Sequence, residues 1–269
     1  MIIYYVVRYR IKIVRKNIKD SFPELTTKEH LKIERQFYRN FADYIAETIK
    51  LNHISDKQMM KRMKFNNIEL IDELVDKKRS IVAYFSHCGN WEWVPSITRW
   101  TKHNVGIGKV EFCQVYRPLR NEWFDMYMLK LRSRFNSLSL KKKTVLRELV
   151  KMRRDEVVTI TGFMSDQKPS HGDTSYIVKF LNHPSAVITG TEQVARKLDM
   201  AVVYFDMKKT GRGRYEVDIK LLAEDTSSMP EMSLTNTYIT LLEETIKRNP
   251  SIWLWTHNRW KHKVELPNE

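Results

Sequence analysis

Cysteine, glycine and long apolar runs are all scarce in this chain of 269 residues. Two cysteines, Cys88 and Cys113, are too few for a disulfide framework or a cysteine-built zinc module, which fits a reducing compartment. Glycine, at 8 residues, is about half its usual ~7% share, and GxGxxG, Walker A, GxSxG, HExxH and CxxC patterns are all missing. No stretch approaches the ~20 apolar residues that cross a bilayer. What is abundant is positive charge. There are 47 Lys and Arg against 32 Asp and Glu, a net charge of +15. Such a surface calls for an anionic partner: nucleic acid, anionic lipid, or an acidic protein or substrate. Hydrophobic residues at 42% and aromatics at 11% exclude a disordered chain, and the length suits a sizeable core.

The chain opens with the apolar residues 1–7, followed by Arg8, Arg10, Lys12, Arg15, Lys16 and Lys19. A signal peptide would carry its charges before the apolar stretch, so that reading fails. Residues 1–20 read as a basic amphipathic, membrane-associating segment, with an apolar face packed on the domain as the equal alternative. Residues 21–269 read as one domain. Apolar spacing predicts helices over 27–51, 121–135, 142–154 and 189–199. Strands are expected over 81–85, 112–116, 157–163 and 201–205, with a turn at Gly211-Arg212-Gly213 into 215–221. This alternation points to an α/β fold, a single domain with a mixed central sheet flanked by helices and preceded by amphipathic helices.

The chemistry-bearing residues cluster at the expected strand ends. The first strand runs into Ser86-His87-Cys88-Gly89-Asn90-Trp91-Glu92. His87 and Glu92 lie about 140° apart on a continuous helix, so they could meet only with His87 in the turn and Glu92 in the first helical turn. A carboxylate on one imidazole nitrogen would equip the other to take a proton from an alcohol. For an isolated H-x4-E, a buried histidine and a solvated glutamate are the commoner outcome. Cys88 invites a thiol-nucleophile reading, but adjacent turn residues point apart and cysteine is usually buried. Arg117, before Pro118, would emerge at the same sheet edge and suits a phosphate or a developing oxyanion, with an ion pair as the plainer role. Asp166, in Ser165-Asp166-Gln167-Lys168, is a third polar group after a strand and could equally be a turn former. The tryptophans Trp253, Trp255 and Trp260 read as core packing with snorkelling Arg and Lys.

In order and spacing, these pieces together resemble the late acyltransferases of lipid A biosynthesis, the lauroyl/myristoyl transferases of Gram-negative bacteria. The segments that carry the resemblance are SHCGNWEW, VYRPLRN, the strand followed by SDQ, TGTEQVARKLDMAVV and the closing PSIWLWTHNRWK, over about residues 1–265. One departure is the start, where only residues 1–7 stand in place of the longer hydrophobic anchor usual in the family. The resemblance implies a glycerolipid-acyltransferase-like domain with His87 as general base and Glu92 as its partner. Arg117 and Asp166 are implied as further, substrate-binding residues of the site. It implies an O-acyltransferase that moves a fatty acyl chain from an acyl carrier protein thioester to a hydroxyl of a lipid A precursor. No metal or redox cofactor is needed, because thiolate is a good leaving group. Implied partners are the carrier protein, a lipid acceptor and an anionic membrane surface, with no nucleic acid. The expected place is the cytoplasmic face of the bacterial inner membrane, peripheral or monotopic. Two rivals are a family member acting on a lysophospholipid, an aminolipid or a mannosylated phosphoinositide, and a non-catalytic basic membrane-binding module.

Overall fold

The computed structural model describes residues 2–170 and 176–266. Its elements, in chain order, are helices α1 (Ile2–Tyr5), α2 (Ile11–Ser21), α3 (Thr27–Lys50) and α4 (Asp56–Arg62), then strand β1 (Met63–Asn66) and α5 (Ile68–Asp76). Next come β2 (Ile81–Phe85), β3 (Val110–Tyr116), α6 (Glu122–Arg132), β4 (Ser137–Lys141), α7 (Val145–Arg154) and β5 (Val158–Met164). The chain continues through β6 (Ile177–Phe180), β7 (His183–Ala186), α8 (Gly190–Lys197), β8 (Ala201–Gly211), β9 (Arg214–Ala223) and α9 (Ser233–Arg248).

Seven strands form one sheet in the order β1-β9-β8-β2-β5-β3-β4, and β6 and β7 make a separate antiparallel pair. Strands β8, β2, β5, β3 and β4 run parallel, while β9 turns back antiparallel to β8 and carries β1 alongside it. The fold is therefore an α/β domain with a mixed sheet. In its centre, β2 (IVAYF) is buried at every position, as a parallel strand covered on both faces must be. The carboxyl ends of β2, β5 and β3 meet at one edge of the sheet, where open α/β sheets carry their ligands.

Residues 1–20 do not form one helix. Arg8 and Arg10 take the left-handed conformation and divide α1 from α2. The Arg10 guanidinium donates to the Thr256 carbonyl, and Ile11, Val14 and Ile18 of α2 are buried in the core. Glu34 of α3 gathers both helices. Its buried carboxylate accepts from the Tyr4 hydroxyl at 2.7 Å and from two Arg15 nitrogens at 2.9 and 2.8 Å. So α2 packs on the domain, while Ile2, Tyr5, Val6 and Val7 of the tip stay exposed. A capping box between Thr26 and Glu29 starts α3 where the spacing places it.

The central strands and helices α3, α6, α7 and α8 fall within a few residues of the expected ranges. Residues 56–76, β4 and α9 went unread in the sequence. β1 has four residues and alternates buried and exposed, and β4 has five; both are too short for a periodic signal. The aromatic stretch after His87 is a 3₁₀ helix, Trp91–Arg99, with Pro95 inside it. Proline cannot donate the bond a longer α-helix would need there.

Gly162 sits mid-β5 between Ala83 and Gln114, and a Cβ at this position would lie 2.7 Å from Cε1 of the Phe85 ring. Phe85 ends β2 two residues before His87, so the missing side chain lets the two strand ends close together. Gly162→Ala should overpack this spot and cost about 1–3 kcal/mol. Chemical denaturation should show a lower midpoint at unchanged slope; equal midpoints would contradict this packing.

Candidate active site

Strand register delivers the first pair of side chains. Phe85 is opposite Met164 in the β2–β5 ladder, so two residues further on His87 and Asp166 leave the sheet side by side. His87 Nδ1 lies 2.7 Å from Asp166 Oδ1, and the His87 backbone N–H donates to Oδ2 at 3.1 Å. An ionised carboxylate only accepts, so Nδ1 carries the proton and Nε2 is the nitrogen left for substrate. The Trp253 indole N–H also donates to Asp166 Oδ2, at 2.9 Å. Burial alone would raise the Asp166 pKa. The charge and hydrogen bond of His87, with the Trp253 and backbone donors, outweigh it and hold the carboxyl below its ordinary range.

The closing segment holds this pair in place. The Leu254 N–H donates to the His87 carbonyl at 3.1 Å, and the Gly89 N–H donates to the Ile252 carbonyl at 2.9 Å. Gly89 has φ of +58°, and a Cβ there would meet Met207 Sδ at 2.7 Å and the Tyr215 ring at 3.0 Å. Only glycine makes this turn without strain. Arg259, expected to snorkel, is instead buried and donates to the carbonyls of Asp166 at 3.1 Å and Ala186 at 2.8 Å. Desolvation lowers its pKa to about 10. Trp253 and Arg259 thus fix the side chain and the backbone of one aspartate. Sequence reasoning passed over both, because a tryptophan that packs and one that also donates look alike in a sequence.

Glu92 does not hold the imidazole as expected. Its buried carboxylate accepts from Arg132 Nε at 2.8 Å and Nη2 at 2.7 Å, a bidentate pair. The His87–Glu92 contact implied by the family resemblance is replaced by His87–Asp166 and Glu92–Arg132. The reason is geometric: the 3₁₀ helix carries Glu92 toward α6, whereas strand register brings Asp166 to His87. Trp91 packs its ring edge-on to His87 at 5.0 Å and stacks on Tyr44 at 4.2 Å.

His87 and Arg132 both line a cavity of about 690 Å³. Six basic residues line it: Arg117, Arg132, Lys142, Lys143, Lys168 and Lys197; no acidic side chain does so among the described residues. Arg117 therefore lies where its place after β3 predicts. Apolar walls come from Val115, Leu146, Phe163, Met164, Ile188 and Val194. Asp166 supports the cavity from behind His87 and is itself 1% exposed. Cys88 is fully buried, and desolvation pushes its thiol far up, so no thiolate is available as a nucleophile.

The site thus sets an imidazole backed by a buried carboxylate beside a cavity whose walls are both basic and apolar. Comparison with known proteins makes this specific. The profile of the bacterial lipid A biosynthesis acyltransferase family matches residues 2–262, and the chain belongs to that family. It is an acyltransferase, and its acceptor is a lipid. The chain is similar to the lipid A biosynthesis lauroyltransferase of Escherichia coli K12, 23% identical over 95% of this chain and 80% of that protein. It is also similar to a lipid A biosynthesis acyltransferase of Haemophilus influenzae, 22% identical over 95% of this chain and 79% of the relative.

His257 lies near the His87–Asp166 pair, with Nε2 buried and unpartnered. Desolvation lowers its pKa to about 4, against a nearby Asp166 charge that opposes the shift. Between pH 6.5 and 4 the unfolded chain binds a proton at His257 that the folded chain refuses. Its contribution to stability is thus whole above pH 6.5 and lost as the pH falls toward 4. His257→Gln should lose less stability than the wild type between pH 7 and pH 5, read from denaturation midpoints. Parallel losses would contradict the burial of a neutral imidazole.

Proposed function

We propose that His87 is the general base in direct acyl transfer from an acyl carrier protein thioester to a hydroxyl of a lipid A precursor. The observation that carries this is the His87 Nδ1–Asp166 contact at the rim of the basic, apolar cavity. Nε2 takes the proton of the acceptor hydroxyl as its oxygen attacks the thioester carbonyl. The C–O bond forms, the C–S bond breaks, and the departing thiolate takes the proton back from the imidazolium. Asp166 fixes the tautomer and steadies the imidazolium. Arg117, Arg132 or nearby backbone N–H groups steady the oxyanion or bind a substrate phosphate, supported by the place of both arginines in the cavity wall and by Glu92 holding Arg132. The buried Cys88 thiol favours direct transfer over an acyl-enzyme.

The mixed cavity lining supports an acceptor that carries both negative charge and acyl chains. The net charge of +15 suits a phosphorylated glycolipid, an acidic carrier protein and an anionic bilayer alike. The proposed place of work is the cytoplasmic face of the bacterial inner membrane, held peripherally or monotopically.

His87→Ala should lower acyl transfer by about 10²–10⁴-fold. Asp166→Asn should approach that loss, and Glu92→Gln should lose less than either because it acts through Arg132. The assay uses acylated carrier protein with purified lipid A precursor, alongside profiling of lipid A from a deletion strain complemented by each variant. One absent acyl chain on lipid A supports the acceptor; an unchanged lipid A with an altered phospholipid or aminolipid would point to another acceptor. Folded His87→Ala protein with full transferase activity would sink the mechanism.

A further inference from the structure

Helix α6 is apolar on two sides. Met128 and Leu131 are buried against the domain, as a surface helix requires. A second stripe, Trp123, Met126, Tyr127 and Lys130, recurs at i, i+3, i+4 and i+7; Trp123, Met126 and Lys130 are exposed, and Tyr127 is half-buried against the core. Trp123 is 68% and Met126 64% exposed, and the Trp123 ring stacks on Tyr127 at 5.7 Å with planes 1° apart. The stripe continues onto the end of α3. There the Asn52 amide donates to both the Tyr127 hydroxyl and the Ile49 carbonyl, and Ile49, one turn back on α3, is 59% exposed.

The charges around this face have a pattern. Lys50, Arg120 and Lys130 are exposed near it. Glu122 lies roughly 90° from the centre of the stripe, and Asp125 lies further round. The Asp125 carboxylate accepts from the Leu119 N–H. The approach to α6 also forms the cavity, since Arg117 and Leu119 line it. A face of Trp, Tyr and Met edged by Lys and Arg has the make-up of a surface that sits at the headgroup level of a bilayer, aromatic rings at the boundary and cations on phosphates.

We propose that the outward stripe of α6, with Ile49, docks on an anionic phospholipid surface and sets the cavity rim against it. Trp123 and Met126 enter the boundary between headgroups and acyl chains, and Lys50, Arg120 and Lys130 meet the phosphates. The proposal rests on the lipid acceptor of the proposed reaction, because a docked rim would spare an acylated substrate from leaving the bilayer into water. It assigns a membrane contact apart from the exposed N-terminal tip.

Both native cysteines are buried, so a Met126→Cys substitution gives one labelling site for an environment-sensitive fluorophore. With vesicles of phosphatidylethanolamine and phosphatidylglycerol, its emission should shift to the blue and be quenched by brominated acyl chains. Phosphatidylcholine vesicles should give a smaller change. The paired substitution Trp123→Glu and Met126→Glu should weaken vesicle binding about tenfold or more, with melting temperature and activity on detergent-dispersed acceptor unchanged. Unquenched label, or vesicle binding of the paired variant equal to wild type, would overturn the proposal. Loss of carrier-protein binding with vesicle binding intact would also overturn it, assigning the face to a protein. Vesicle binding is read without turnover. A wild type inactive in detergent would therefore defeat the proposed reaction, while the quenching still decides the docking.

Discussion

A single buried carboxylate ties together the edge of the fold that carries the candidate site. Asp166 accepts from the imidazole of His87, the backbone of His87 and the indole of Trp253, donors from two separate stretches of chain. A carboxylate this deeply buried is costly unless its donors are all present, and here they are. The same contacts that meet its charge set the tautomer of His87, join the ends of β2 and β5, and dock the closing segment on the turn. Arg259 adds the backbone carbonyl of Asp166 to the set. Stability and chemistry at this edge depend on one side chain.

A second buried carboxylate has a different task. Glu92 faces Arg132 in a bidentate pair and leaves the guanidinium lining the cavity. Removing one partner of such a pair strands the other's charge, at a cost of several kcal/mol. The two acids therefore divide the work: one holds the His87 imidazole, and the other positions a cation in a wall already rich in Lys and Arg. This division fits an enzyme whose substrate is anionic at one end and oily at the other.

Much of this was legible in the sequence, for identifiable reasons. Strand β2 and the first half of β8 are unbroken apolar runs of the kind parallel pairing requires, and the helices have clear apolar spacing. His87, Arg117 and Asp166 were found because all three follow a strand. The pairing among them was not legible: the family resemblance implied Glu92 as the partner of His87, while register between β2 and β5 brings Asp166 there. That register joins residues 79 apart in the chain. Trp253 and Arg259 were hidden for the same reason. Their bonds to Asp166 reach back more than 85 residues, and a Trp-rich tail reads as packing until its indole is seen to donate. The break between α1 and α2 rests on left-handed arginines, which no propensity announces.

The central claim is that Asp166, and not Glu92, sets the protonation of His87. Nitrogen-15 NMR of the histidine rings tests it directly in the wild type, Asp166→Ala and Glu92→Gln. A far-downfield Nδ1–H resonance assigned to His87 should be present in the wild type, lost in Asp166→Ala and kept in Glu92→Gln. Its survival in Asp166→Ala, or its loss only in Glu92→Gln, would contradict the account.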